Sequence, residues 1–262
     1  MHGRHGCDVG TSVYNATVDD LKGKTVLITG GARRLGRATV LAAASAGAQV
    51  AFTYLNSTDD ADQTAKQLDK LAVKHRMFRC DVRSENSVMR TVEGVLDTFG
   101  GIDLLINNAG VFETAALEKI TPEQWENVFA TNVGGPFLMT KHCTSALRLS
   151  KGRIVNMGSL GGDRPWVTHA HYCASKAALH MLTRVAAKAL APDVAVNCVA
   201  PGMIDAGEGE RDPLLLKRLA ERAPSARNGT SEDVVSAVMY FATCPRYITG
   251  QILTVDGGLG LV

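Results

Sequence analysis

Thr25-Val26-Leu27-Ile28-Thr29-Gly30-Gly31-Ala32-Arg33-Arg34-Leu35-Gly36-Arg37 is the stretch that decides the fold. A short β-branched and apolar run reads as a buried strand, a glycine-rich turn follows, and an alanine-rich helical stretch comes next. Strand, tight turn and helix start in direct succession form an anion site, because the first helical turn carries unpaired N–H groups and a positive partial charge. Gly30 permits the turn, and Gly36 permits close approach of helix to strand. The spacing is T-G-x-x-x-R-x-G. It is neither G-x-G-x-x-G nor the G-K-[S/T] loop of phosphoryl transfer.

The same alternation repeats outward from this point. Further β-branched or apolar runs lie at Gln49–Thr53, Arg76–Cys80, Ile102–Ile106, Arg153–Met157, Val194–Val199 and Gln251–Val255, with helical spacing between them. Seven strands alternating with helices predict an α/β fold: a single-domain, Rossmann-type, doubly wound parallel sheet with helices on both faces. Residues 1–21 show no periodicity and are expected to be a flexible leader. Residues 22–262 form the domain, with no internal repeat and no linker to split it. One connection is long, about 203–228, and is expected to be a lid over the substrate.

Composition excludes several classes. The 262 residues carry 28 Lys and Arg against 26 Asp and Glu, a net charge of +2, which fits neither a basic nucleic-acid binder nor an acidic tail. No apolar run approaches the ~20 residues of a membrane span. The first residues lack the apolar core of a signal peptide, so a cytoplasmic location is expected. The cysteines at 7, 80, 143, 173, 198 and 244 include no C-x-x-C pair, and no H-E-x-x-H is present. Reduced thiols and no metal are expected.

Two further readings concern the cofactor and the chemistry. A sheet that binds NAD usually places an acid at the end of strand two for the ribose 2′-OH. Here that end reads Phe52-Thr53-Tyr54-Leu55-Asn56-Ser57, and Arg33 and Arg34 stand in the phosphate turn. Arginines with neutral Asn56 and Ser57 favour a 2′-phosphate, hence NADP(H). Tyr172 and Lys176 lie four residues apart on one face of a helix running to about Leu190. A neighbouring ammonium favours the phenolate, so Tyr172 can give a proton to a carbonyl or take one from an alcohol. Ser159 ends the fifth strand, on the rim where open α/β sheets bind ligands, with Asn107-Asn108-Ala109-Gly110 and Pro201-Gly202 on the same rim.

Trp125, Val128, Phe129, Val133 and Phe137 read as an apolar helical stripe with Asn132 inside it, where an amide needs partners. Pro136 has no N–H for the Asn132 carbonyl, and Gly134 and Gly135 loosen the turn, so that carbonyl is expected to be freed.

With these residues quoted, the chain resembles the short-chain dehydrogenase/reductase family over about residues 22–262, and is similar to its NADP-dependent 3-oxoacyl-carrier-protein reductases. The motifs are the T-G turn, Cys80-Asp81-Val82, Asn107 to Gly110, Asn132, Ser159, Tyr172-x-x-x-Lys176, Pro201-Gly202 and Ile248-Thr249-Gly250. The resemblance implies hydride transfer between a nicotinamide and a carbonyl or alcohol. It implies a catalytic set of Asn132, Ser159, Tyr172 and Lys176, with a proton relay from Lys176 through a water to the Asn132 carbonyl. It implies cofactor contacts from Gly30, Arg33, Arg34, Leu35, Tyr54, Asn56, Ser57, Asp81, Val82, Asn108, Ala109, Gly110, Tyr172, Lys176, Pro201, Gly202 and Ile204. Asp81 and Val82 would hold the adenine. Family members are commonly dimers or tetramers, and a homotetramer is expected.

The departures are also specific. The middle glycine of the family turn is Arg34, as in pteridine reductases, but those carry aspartate where this chain has Ser159. Ala206 stands where a threonine often meets the carboxamide, and the Ile204 backbone is expected there instead. Asp163, Arg164, Trp166 and His169 are the candidates to meet a small-molecule substrate, which could be a 3-oxoacyl thioester, small ketone, sugar, pterin or quinone. A nonenzymatic NADP-binding regulator on this fold would be expected to lose Ser159, Tyr172 or Lys176, and all three are present.

Overall fold

The computed structural model describes residues 21–205 and 212–262. The expected leader therefore lies outside the described residues except for Leu21, as do Cys7 and, in the long connection, Ala206, Glu208, Glu210 and Arg211. Leu21 corrects the domain boundary: its side chain is buried in the core, so the domain includes it.

The strands are β1 (Thr25–Ile28), β2 (Gln49–Tyr54), β3 (His75–Arg79), β4 (Leu104–Asn107), β5 (Arg153–Met157), β6 (Ala195–Pro201) and β7 (Ile252–Val255). All pair in parallel in one sheet of order β3-β2-β1-β4-β5-β6-β7. The helices are α1 (Arg34–Ser45), α2 (Thr58–Lys70), α3 (Glu85–Phe99), α4 (Pro122–Phe129), α5 (Gly135–Ser150), α6 (Ala170–Leu190), α7 (Pro213–Arg222) and α8 (Ser231–Thr243). Strand alternation explains why both faces are covered. Val26 and Ile28 point into one layer with Val40, Phe52 and Phe241, whereas Leu27 points into the other with Val92, Leu105, Met139 and Val196. Both faces are apolar, so each needs helices.

Strand order reverses between β1 and β4, because the chain leaves β1 toward β2 on one side and returns to β4 on the other. The connections diverge there and leave a crevice beyond the carboxyl ends of the strands. Local sequence sets the flanking helix starts. Ser84 accepts the Ser87 N–H ahead of α3. Thr121 and Gln124 cap α4 reciprocally, with Pro122 first in the helix.

The long connection contains α7, and its two ends are tied together. Asp205 N–H donates to the Gly229 carbonyl (2.8 Å) and Gly229 N–H to that of Met203 (2.9 Å).

Candidate functional site

The turn after β1 is held from both sides. Gly30 N–H donates to the Thr53 hydroxyl (3.2 Å) and Gly31 N–H to the Thr53 carbonyl (2.8 Å). From β4, Asn108 Nδ2 donates to the carbonyls of Thr29 and Gly30, both at 2.9 Å. The Thr29 hydroxyl accepts the N–H groups of Asn108 and Ala109, both at 3.0 Å. Asn108 is thus a clamp on the turn as well as part of its lining. Arg34 has φ +51°, a backbone region that favours glycine, which accounts for the glycine of the resembled family at this place. Such residues cost about 1–3 kcal/mol and persist where the surroundings hold them.

A Cβ on Gly36 would overlap the Gly30 carbonyl oxygen and stand 2.7 Å from Asn108 Nδ2. Gly36→Ala is therefore expected to cost about 1–3 kcal/mol of stability, as overpacking does, read as a lower denaturant midpoint with unchanged slope.

Two cavities occupy the crevice. The first, about 620 Å³, is lined by Gly30, Arg33, Arg34, Leu35, Tyr54, Asn56, Ser57, Asp81, Val82, Asn108, Ala109, Gly110 and Ile204, all expected from the sequence. The Arg33 side chain makes no capping hydrogen bond at the start of α1, which borders this wall. Arg83 and Asn127 also line this cavity and were not expected. Arg83 Nε and Nη2 donate to Asp81 at 2.9 and 2.7 Å, and Nη1 donates to Asn127 at 2.8 Å. The guanidinium beside it holds the Asp81 carboxyl below its ordinary range.

The second cavity, about 720 Å³, holds Ser159, Tyr172, Lys176, Pro201 and Gly202. It shares Arg34, Leu35, Asn108, Gly110, Val111 and Ile204 with the first, so the two form one continuous cleft. Tyr172 and Lys176 sit on successive turns of α6, with Nζ 5.7 Å from the centre of the phenol ring. Lys176 Nζ donates to the Met157 carbonyl at 2.7 Å, and burial pushes the ammonium down from an ordinary 10.5 to about 8. The Ser159 hydroxyl accepts the Gly161 N–H (3.1 Å), which leaves its own proton to donate.

His180, one turn beyond Lys176, packs under this serine turn. A Cβ on Gly158 would lie 2.5 Å from His180 Nε2, and one on Gly162 would lie 2.6 Å from Cε1. Glycines flank Ser159 because the imidazole occupies their side-chain space. Burial lowers the His180 pKa, against the pull of Asp163 at 3.3 Å. Asp163 is thereby corrected as a substrate candidate: it turns to His180. Neither it nor Arg164 lines the cavity, whereas Trp166 and His169 do.

Asn132 lies behind the cleft in a π-helical turn, Ala130–Gly134, where Gly135 N–H reaches back to the Ala130 carbonyl. The expected loosening therefore takes the form of one extra residue in the turn. The amide finds its partners across the crevice: Oδ1 accepts Val111 N–H (2.8 Å), and Nδ2 donates to the Val111 carbonyl (3.0 Å) and Ser175 Oγ (3.1 Å). The expected apolar stripe is corrected. Of its members Val128 is buried, while Trp125 and Phe137 are exposed. The buried face runs instead through Asn132, Pro136, Met139, Cys143 and Leu147.

Sequence reasoning missed Phe112, Thr114 and Leu259 on the second cavity, whereas Leu215 and Leu219, also on it, belong to the connection expected to cover the substrate. Phe112 was within reach, since it follows the Asn-Asn-Ala-Gly rim by two residues. Leu259 comes from the far end of the chain, which only the fold brings to the cleft. Among the described residues no His, Cys, Asp or Glu group could hold a metal, and no helix is long and apolar enough to cross a membrane. Cys80, Cys143, Cys173, Cys198 and Cys244 are free thiols.

Compared with known proteins, residues 30–260 match the family described as Enoyl-(Acyl carrier protein) reductase. The chain is 35% identical over 243 residues to a 3-oxoacyl-[acyl-carrier-protein] reductase of Synechocystis sp., covering 91% of this chain and 98% of that one. A short-chain dehydrogenase/reductase from Serratia marcescens BCRC 10948 superposes with TM-score 0.87 at 32% identity, over 92% of this chain and 100% of the other. A blue fluorescent protein from a metagenomic library, solved in complex with NADPH, gives 0.84 at 32% identity, over 92% and 99%.

Proposed function

The chain belongs to the short-chain dehydrogenase/reductase family, and from that premise we propose that it interconverts a carbonyl and an alcohol with NADP(H), Tyr172 transferring the proton. One observation carries the reading: Ser159, Tyr172 and Lys176 line a cavity continuous with the phosphate turn. The cleft suits a dinucleotide. It has a glycine cradle that a Cβ at Gly36 would fill, an α1 start without a side-chain cap, and two arginines beside a β2 end without an acid. Arg33 with Asn56 and Ser57 would hold the 2′-phosphate, Asp81 and Val82 the adenine, and Pro201, Gly202 and Ile204 the nicotinamide end. When bound, NADPH supplies the hydride to the carbonyl carbon.

The protein's own part is the proton. Ser159 donates a hydrogen bond to the carbonyl oxygen and fixes its position. Tyr172 donates its phenolic proton to that oxygen as charge builds there. The Lys176 ammonium stabilises the phenolate that remains. Asn132 braces the rim at Val111, and its backbone carbonyl serves as the outlet for proton resupply. Loss of NADPH absorbance on addition of ketones, aldehydes or 3-oxoacyl thioesters tests the reading. Tight NADPH binding without turnover of any carbonyl or alcohol would favour a nonenzymatic binder.

The buried lysine gives the reaction a pH dependence. Reduction needs the ammonium, so kcat/KM is expected to fall as pH rises through about 8. Unfolding does not explain that loss. The unfolded chain keeps this proton to about 10.4, so between the two values the unfolded state binds more protons and the group's contribution to stability rises with pH. A pH–rate profile run beside thermal melts separates the two. An alkaline limb that tracks the melts, or none below pH 10, would overturn the assignment.

We further place the enzyme in the cytoplasm as a homotetramer. Phe137 on α5 and Met181 and Val185 on α6 are about half exposed (50%, 55% and 56%), an apolar surface suited to a second subunit. Leu147 and Leu179 of the same helices are buried and add nothing to that surface. Light scattering at micromolar concentration should give four times the 27.8 kDa chain mass. A monomer would refute the assembly.

A further inference from the structure

We propose that the carbonyl substrate is an uncharged ketone borne on a planar aromatic ring, which lies against the wall formed by Phe112, Trp166, His169 and Tyr172. The inference rests on carbonyl reduction at Tyr172 and adds the substrate class. The wall is one connected cluster. Phe112 stacks on His169 (centroids 4.5 Å, 27°) and meets Tyr172 edge-on (4.8 Å, 85°), while Trp166 lies nearly parallel to Tyr172 (6.1 Å, 14°). Phe112 is 49% exposed although it stands in the cleft, an apolar surface that a ligand would cover.

The polar groups of this cavity are largely engaged with one another. The two ring nitrogens of His169 stand 3.0 Å from the Thr114 hydroxyl and 2.9 Å from that of Thr168. Asp212 accepts the Leu214 N–H at 2.9 Å as the cap of α7, and Lys176 Nζ is bonded to the Met157 carbonyl. Arg34 sits at the seam with the phosphate cavity. Among the described residues the reacting end thus offers Ser159 and Tyr172 for one oxygen, and the remainder offers carbon from Met203, Leu215 and Leu219. A sugar would have to share Thr114, Thr168 and Asp212 with the bonds these groups already make, and the carboxylate of a 2-oxo acid would share the cavity with that of Asp212, both less favourable than apolar contact. A flat ring gains apolar contact and the edge-and-face contacts that an aliphatic chain of equal area lacks.

The test is NADPH oxidation by purified full-length enzyme with four probes: an aryl methyl ketone, an acetoacetyl thioester, dihydroxyacetone and a 2-oxo acid. The aryl ketone is expected to lead the other three by about tenfold or more in kcat/KM, the scale on which apolar pockets discriminate. Phe112→Leu keeps apolar bulk and removes the ring. It should lower the aryl-to-thioester selectivity about two- to tenfold, mainly through KM. Equal or better use of the thioester, sugar or acid overturns the aromatic assignment and leaves carbonyl reduction standing. No turnover of any probe overturns both. Unchanged selectivity in Phe112→Leu removes the wall as its cause and overturns the proposal.

Discussion

Tyr172→Phe lowers kcat by about 10²–10⁴-fold, the usual contribution of a positioned acid–base group, and leaves the NADPH dissociation constant near the wild-type value. The substitution removes one hydroxyl and keeps the ring. The ring's contacts with Phe112 and Trp166 are made by its carbon body, so the wall of the cavity survives. Ser159 still has its Gly161 bond, and Lys176 still donates to Met157. What disappears is the proton donor to the carbonyl oxygen. Steady-state rates and fluorescence titration with NADPH check the two halves separately, and retention of more than a tenth of kcat would end the assignment. Lys176→Met differs in kind. The resemblance gives this one ammonium a cofactor contact as well as support of the phenolate, so rate and cofactor affinity should fall together.

The fold was legible because each strand carries its own signal. The runs at Thr25, Gln49, Arg153 and Ala195 are short, apolar and bounded by turns, and the structure places strands on them within a residue or two. Tyr172, Lys176 and Ser159 were legible for a related reason: helical spacing puts the first two on one face, and a strand end puts the third on the rim. The failures came where tertiary partners decide. Asp163 looks like a site acid in sequence, yet His180 from the middle of α6 claims it. Trp125 and Phe137 fit an apolar period, but the π turn between them adds a residue and the buried face passes through Asn132 and Pro136. Arg83 reads as a surface charge, and only the fold sets it between Asp81 and Asn127 on the cavity wall.

That last placement sharpens the choice of cofactor. NADPH is expected to exceed NADH in kcat/KM by about 10–100-fold, and Arg33 is expected to carry the difference. β1 pairs with β2, so the turn and the acid-free end at Tyr54, Asn56 and Ser57 converge on the cavity where the adenosine ribose would lie. Four arginines stand near enough to consider. Arg83 is committed to Asp81 and Asn127. Arg37 is tied to the Ala32 carbonyl, Thr64 and Asp60. Arg34 lines both cavities and so lies toward the seam, where a pyrophosphate would pass, whereas Arg33 lines the first cavity alone. A hydrogen bond to a charged group contributes about 1.5–3 kcal/mol net, which at about 1.4 kcal/mol per decade gives the stated factor. Arg33→Ala should therefore weaken NADPH by about that much and leave NADH nearly unchanged, while Arg34→Ala weakens both. Added salt should narrow the preference, since the pair lies in an open cleft and is screened. Dissociation constants of both cofactors for both variants decide between the arginines, and equal use of NADH and NADPH by the wild type would overturn the role of the 2′-phosphate altogether.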